Sequence, residues 1–336
     1  MKSLHLIVLL LCVFPILGTV REVNLMLPSN PALNQYHTII EAYNAAANGD
    51  VIRIHPGDYY LSQPSELISG AKTLMIMGTT INSSRLIANN QPILNLTGGV
   101  LTVSNLTFMS TGGSGIYLQG GNPVLNVRNC FFDTCDTGVY ANTSSTIFID
   151  ASVFRNSVNG IYIYSGLSGA TVQGKIRNNV FHNNTIGIKL NNAETTCYTD
   201  IVNSIFLNNT DYSIRKTYAS YYGVVGYNNF YGNGNSNNVS GVALGTGNIT
   251  TQSPLLGNTT GSPYYNYFLA TNSPCIDAGN PDSNYSDLDN TRNDMGVFGG
   301  QYALGNGKPI VLNIEVSPDP VQQGGTITIQ ATGQMK

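Results

Sequence analysis

Val127-Arg-Asn-Cys-Phe-Phe132, followed after a short turn by Gly138-Val-Tyr-Ala141, decides the fold, because the chain repeats it. Its variants are Val103-Ser-Asn-Leu-Thr-Phe108 with Gly115-Ile-Tyr-Leu118, Ile176-Arg-Asn-Asn-Val-Phe181 with Gly187-Ile-Lys-Leu190, and Ile201-Val-Asn-Ser-Ile-Phe206. Phenylalanine thus returns about every 24 residues, at Phe108, Phe132, Phe154, Phe181, Phe206 and Phe230. Each unit carries short apolar strand runs and no helical periodicity. Self-similarity at such a period with strand chemistry in every unit predicts a solenoid of β-coils.

The 336 residues are 42% apolar and only 10% charged, with net charge −3, so a sizeable core is expected and the polar surface must come from uncharged groups. The 41 Asn and 36 Gly fit that surface. Phosphate binding rests on clustered Lys and Arg, and no basic cluster is present, which excludes a nucleic-acid partner. Met1-Lys-Ser-Leu-His and the apolar run Leu6 to Leu17 read as a signal peptide over residues 1–19, too short for a membrane span. No later run is long enough to span a membrane, so a secreted or cell-surface protein is expected. Export permits a disulfide between Cys130 and Cys135, whereas their positions beside Phe132 suit small buried hydrophobes equally well.

Residues 36–47 place apolar side chains on one helical face and predict an amphipathic helix that caps the open end of the solenoid, with Val51-Ile-Arg-Ile54 as the first strand. About eight coils then extend to Phe230, a rod of roughly 40 Å at about 4.8 Å per strand. The Asn three residues before Phe, at 105, 129, 178 and 203, tolerates left-handed backbone and predicts an amide ladder, broken at Ala151 and Tyr227. Beyond a linker at 301–309, residues 310–336 read as two strands beginning a truncated β-sandwich-like or sorting module.

The stretch Gly49-Asp-Val-Ile-Arg-Ile-His-Pro-Gly-Asp-Tyr59, with the coils after it, resembles right-handed parallel β-helix proteins of the pectin-lyase-like superfamily. Ser273-Pro-Cys-Ile-Asp-Ala-Gly279 and Asp289-Asn-Thr-Arg-Asn-Asp-Met-Gly-Val-Phe-Gly-Gly300 are similar to the close of exported bacterial β-helix proteins. The resemblance covers residues 30–300 and implies an all-β, right-handed parallel β-helix. It leaves activity open, because the superfamily includes lyases, hydrolases, epimerases and adhesins.

Two columns beside the repeat carry the candidate chemistry. The residue after each Phe faces away from the coil, which sets Asp133, Arg155 and His182 in one line about 5 Å apart. An acid, a fixed cation and a titratable base there suit β-elimination of a uronate polymer, with Lys189 as a further cation, or else form a surface ion-pair ladder. The residue two after each Gly gives Tyr117, Tyr140, Tyr162, Lys189 and Arg215, either a sugar-binding strip or a ladder that stabilises the sheet. Asp287, Asp289 and Asp294 supply oxygens at alternating spacing that suit Ca²⁺, or cap turns with Arg292 as partner. The leading expectation is an exported protein that binds polysaccharide or a cell-surface glycan. A polysaccharide lyase and a structural or adhesin segment are the alternatives.

Overall fold

The structure, a computed structural model, describes residues 18–61, 70–79, 83–164, 168–191, 195–218, 220–234, 239–257 and 267–303, and the backbone alone at 68–69, 310–317 and 328–334. The apolar leader expected at 1–19 lies almost wholly outside the described residues, as does most of the linker. The chain winds as a right-handed parallel solenoid whose three sheets each run the length of the rod. Among the described residues there are seven full turns and a looser eighth. The first sheet includes Val51–Ile54, Leu74–Gly78, Val100–Ser104, Val124–Arg128, Ser145–Asp150, Thr171–Arg177 and Thr196–Val202. The second includes Thr107–Thr111, Phe131–Asp133, Val153–Arg155, Val180–His182, Ile205–Leu207 and Asn229–Tyr231. The third includes Ser114–Leu118, Thr137–Ala141, Asn159–Tyr164, Ile186–Asn191 and Tyr212–Lys216. Ile310–Ser317 and Thr328–Gln334 pair antiparallel as a separate two-stranded sheet.

The capping helix is shorter than its apolar pattern, Ile39–Ala45, because Thr38 and Glu41 form a reciprocal capping box at its start. Lys72 Nζ closes the other end on the carbonyls of Tyr43 and Ala46, at 2.5 and 2.7 Å. Ile39, Ala42 and Tyr43 are buried against the first coil. Val51–Ile54 is not the first strand: Val20–Val23 precedes it and pairs with it in parallel. With Arg21 and Glu22 at its centre, that short strand has little apolar signal. Among the described residues no helix is long and apolar enough to cross a membrane.

The six phenylalanines form one internal stack. All are fully buried, their ring centroids are 4.8, 4.6, 5.0, 4.7 and 5.0 Å apart, and neighbouring rings are within 16° of parallel. This stack explains the recurring glycine. A Cβ on Gly138 would lie 2.6 Å from Cδ1 of Phe154 and 2.5 Å from the Gly160 carbonyl oxygen, and Gly115, Gly160 and Gly187 stand in the same relation to Phe132, Phe181 and Phe206. The ring one coil on occupies the space a side chain would need.

Two turns flank each second-sheet strand. In the first, Asn105, Asn129, Asn178 and Asn203 take φ of 52–55°, and Ala151 and Tyr227 follow at 47° and 55°. In the second, Thr134, Asn156, Asn183 and Asn208 take φ of 52–56°. The hydrogen-bonded ladder, however, is built by the residue after each turn rather than by the turn asparagine itself. Cys130 N–H donates to Ser152 Oγ at 3.1 Å, Ser152 N–H to Asn179 Oδ1 at 3.0 Å, Asn179 N–H to Ser204 Oγ at 3.2 Å, and Ser204 N–H to Asn228 Oδ1 at 2.9 Å. A second ladder runs from Cys135 through Ser157, Asn184 and Asn209 to Asn233 at 3.0–3.1 Å. These side chains satisfy buried main-chain amides where the strand pairing is interrupted. Cys130 and Cys135 therefore stand at one end of two separate ladders, on opposite sides of Phe131–Asp133, and both are free and buried. The local disulfide does not form.

The C-terminal segment 267–303 is irregular and covers the outside of the second sheet. Tyr267, Cys275, Met295, Val297 and Phe298 pack on Phe131, Val153, Val180 and Ile205 in a second apolar cluster. Two turn asparagines hold the segment down. Asn178 Nδ2 donates to Asn293 Oδ1 and the Asp294 carbonyl at 3.0 and 2.8 Å, and Asn203 Oδ1 accepts from the Asn280 amide at 2.8 Å. At its end Tyr302 lies 4.1 Å from the Arg128 guanidinium.

Candidate functional site

Asp133, Arg155 and His182 lie in register on successive coils. They face away from the coil interior, yet not into solvent. Tyr267, itself 1% exposed, sits over them, and His182 is 6% exposed. Arg155 Nη2 reaches Asp133 Oδ2 at 2.8 Å, and the other Asp133 oxygen accepts from Asn156 Nδ2 at 2.9 Å and Thr134 Oγ1 at 3.1 Å. His182 Nδ1 is 3.1 Å from the Tyr267 hydroxyl. The solvent-facing ladder expected from the alternation is thus a covered polar seam. The signal for the cover was in the chain: Phe131, Val153, Val180 and Ile205 make the strand apolar on both faces, and such an outer face must itself be covered. Lys189 belongs to the third sheet, in another column. The proposed basic machinery of a lyase is therefore not brought together around one accessible point.

Burial holds the His182 pKa down at about 4, and the Arg155 charge pushes the same way. The fold favours the neutral ring, so this contribution to stability is present above the ordinary imidazole value, about 6.5, and is lost as pH falls through about 4. Denaturation midpoints of wild type and His182→Gln, followed from pH 7 to pH 4, should converge as the wild type loses its advantage. A constant gap across that range would contradict the assignment.

The second column is assembled in register as Tyr117, Tyr140, Tyr162, Lys189 and Arg215, all partly buried and partly open to solvent. Tyr140 and Tyr162 stack at 4.9 Å and 11°, Tyr117 leans on Tyr140 at 5.1 Å and 46°, and Lys189 Nζ sits 4.7 Å above the Tyr162 ring. The rings use their faces on one another, so the row presents ring edges and hydroxyls to solvent. Asn142 and Asn191 amides donate to the Tyr117 and Tyr162 hydroxyls at 2.6 and 3.3 Å. Burial and the neighbouring phenols raise the Tyr140 pKa, which keeps its hydroxyl protonated. Arg215 lies 3.5 Å from Asp211 and 5.0 Å from the Tyr212 ring.

The three C-terminal carboxylates turn to main-chain amides. Asp287 accepts from the Asp294 amide at 3.0 Å and from Gly300, Asp294 from Asp277 at 2.7 Å, and Asp289 from Thr291 at 3.0 Å. Arg292 donates to the Gly279 and Ala278 carbonyls rather than to a carboxylate. Among the described residues no three His, Cys, Asp or Glu side chains gather as metal ligands. Burial, the largest cause, pushes Asp287 up to about 7 and Asp294 to about 6.

Comparison with known proteins agrees with this architecture. No curated protein matches the chain in sequence. Among solved structures, the pectate lyase Pel9A is 15% identical, with TM-score 0.43 over 84% of this chain and 96% of its own. The PL6 family alginate lyase AlyGC is 15% identical, with TM-score 0.37 over 70% of this chain. The aligned part spans only 38% of the alginate lyase. ORF18 of Geobacillus virus E2 is 13% identical, with TM-score 0.24 over 58% of this chain and 48% of its own. At such identities and scores these matches bear on no residue or activity of this chain. The model for a right-handed β-helix region matches residues 93–273, more than half of the sequence, and the chain belongs to that family.

Proposed function

We propose that this is an exported β-helix protein that binds a polysaccharide along the row Tyr117, Tyr140, Tyr162, Lys189 and Arg215, without turnover. The supporting observation is the row itself: three hydroxyls and two cations, one per coil, on a face partly open to solvent. A pyranose unit in an extended chain advances by nearly one strand spacing, so a glycan lying along the rod meets one polar group per sugar. Because the ring faces are taken up by stacking, recognition falls to the hydroxyls and to the charges of Lys189 and Arg215. An acidic glycan fits that pairing.

Retention of polygalacturonate or alginate should weaken as salt rises and should fall roughly tenfold or more in a Tyr140→Phe, Tyr162→Phe, Lys189→Ala triple variant, since each hydrogen bond contributes about 1 kcal/mol. Retention unchanged in the triple variant would sink the reading. Absorbance of unsaturated uronates from pectate, alginate or glycosaminoglycans should stay flat with and without Ca²⁺. Accumulating product would restore the lyase alternative.

A further inference from the structure

The first sheet carries a surface of different chemistry, far less buried than the third-sheet row. Thr146, Gln173 and Tyr198 are in register on three successive coils, and the pairing of Cys197 with Tyr221 places Tyr222 next in the same column. Tyr198 and Tyr222 are 50% and 67% exposed and stack at 5.3 Å with 21° between their planes. Among the described residues the strand just before Tyr222, Ser220–Tyr221, ends the sheet, so no further strand of that sheet lies over the ring face turned away from Tyr198. Beside the column runs a groove of about 300 Å³ lined by Asn122, Ser144, Ser145, Thr146, Thr171 and Gln173. Every one of those side chains is an uncharged amide or hydroxyl.

From this we infer a second glycan site, specific for an uncharged chain, with the sugars hydrogen-bonded in the Asn122–Gln173 groove and the terminal unit stacked on Tyr222. A pyranose with equatorial hydroxyls offers an apolar C–H face to an aromatic ring and polar groups around its rim. Here an open ring face and an amide- and hydroxyl-lined channel lie along one column. In the third-sheet row the Tyr140 ring is sandwiched between Tyr117 and Tyr162, and Lys189 sits over Tyr162, so no comparable face is offered. An acidic polymer has no counter-charge in the groove lining and would lose hydration there without compensation. The two sites therefore sort ligands by charge, and the second does not depend on the first.

The test is binding of the full chain to a panel of uncharged hexaoses built from glucose, mannose and xylose, by calorimetry or tyrosine fluorescence, since the chain has no Trp. At least one should bind. Its affinity should fall roughly tenfold in Tyr222→Ala and in Gln173→Ala and persist in Tyr222→Phe, as expected for loss of one stacking ring or one hydrogen-bonding amide. Tyr222 and Gln173 are exposed, so these variants should fold like the wild type. Binding of none of the hexaoses, undiminished binding by Tyr222→Ala, or equal loss with Tyr222→Phe would each overturn the proposal. Polygalacturonate retention should be unaffected by Tyr222→Ala, and a parallel loss there would also overturn it.

Discussion

Phe154→Ala should destabilise the rod by about 3–5 kcal/mol, at the upper end for a core truncation. Phe154 is fully buried with ring neighbours on both sides, at 4.6 Å to Phe132 and 5.0 Å to Phe181. In a solenoid each coil touches only its neighbours, so a gap at one level cannot be closed by repacking from elsewhere. The ring removed is also the one that fills the space beside Gly138. Equilibrium denaturation followed by far-UV circular dichroism would measure the loss. A change below about 1 kcal/mol would mean that the stack merely fills space and that neighbouring coils relax around it.

Gly138→Ala should be nearly as damaging although it adds a single methyl, with a loss of about 2–3 kcal/mol from overpacking. Gly138 is not in a left-handed conformation, so the effect is one of space alone. The added Cβ meets a ring carbon of Phe154 at 2.6 Å and the Gly160 carbonyl oxygen at 2.5 Å. Only the first of these can move. Combining Gly138→Ala with Phe154→Leu should therefore recover part of the loss expected from adding the two single effects, which a double-mutant cycle reads directly. Strict additivity would show that the ring and the glycine are not coupled. Wild-type stability in Gly138→Ala would remove the steric account of the glycine column altogether.

The fold was legible in the sequence because one coil dictates the next: Phe, Gly and the turn Asn recur for reasons that are local and repeat. The in-register rows followed from the same alignment. The outer environment of the rows was not legible, because it is set by residues more than a hundred positions away. Nothing near His182 announces Tyr267, although the apolar residues at 131, 153, 180 and 205 did indicate a covered face. The turn asparagines were read correctly as left-handed but assigned a bond made by their neighbours. Asn178 and Asn203 instead tie down the segment that hides Asp133, Arg155 and His182. The stacking geometry that turns the tyrosine row edge-on likewise depends on ring rotation, which spacing does not specify. Tyr198 and Tyr222 escaped notice because they fall outside the phenylalanine alignment, in a column defined only by first-sheet register.

From Asn129 onward, the two left-handed turns of each coil stand five positions apart: Asn129 and Thr134, Ala151 and Asn156, Asn178 and Asn183, Asn203 and Asn208, Tyr227 and Gly232. The remainder of each coil varies in length. The chain therefore has one edge where length is fixed and others where it is free. A residue added between Asn179 and Phe181 would turn Phe181 outward and break the five-residue spacing that lets Asn179 and Asn184 serve their two ladders together. A peptide added after Tyr164 and well before Ala170 leaves the five-residue spacing of both ladders untouched, so new binding loops can be acquired there without altering the rungs that hold the rod.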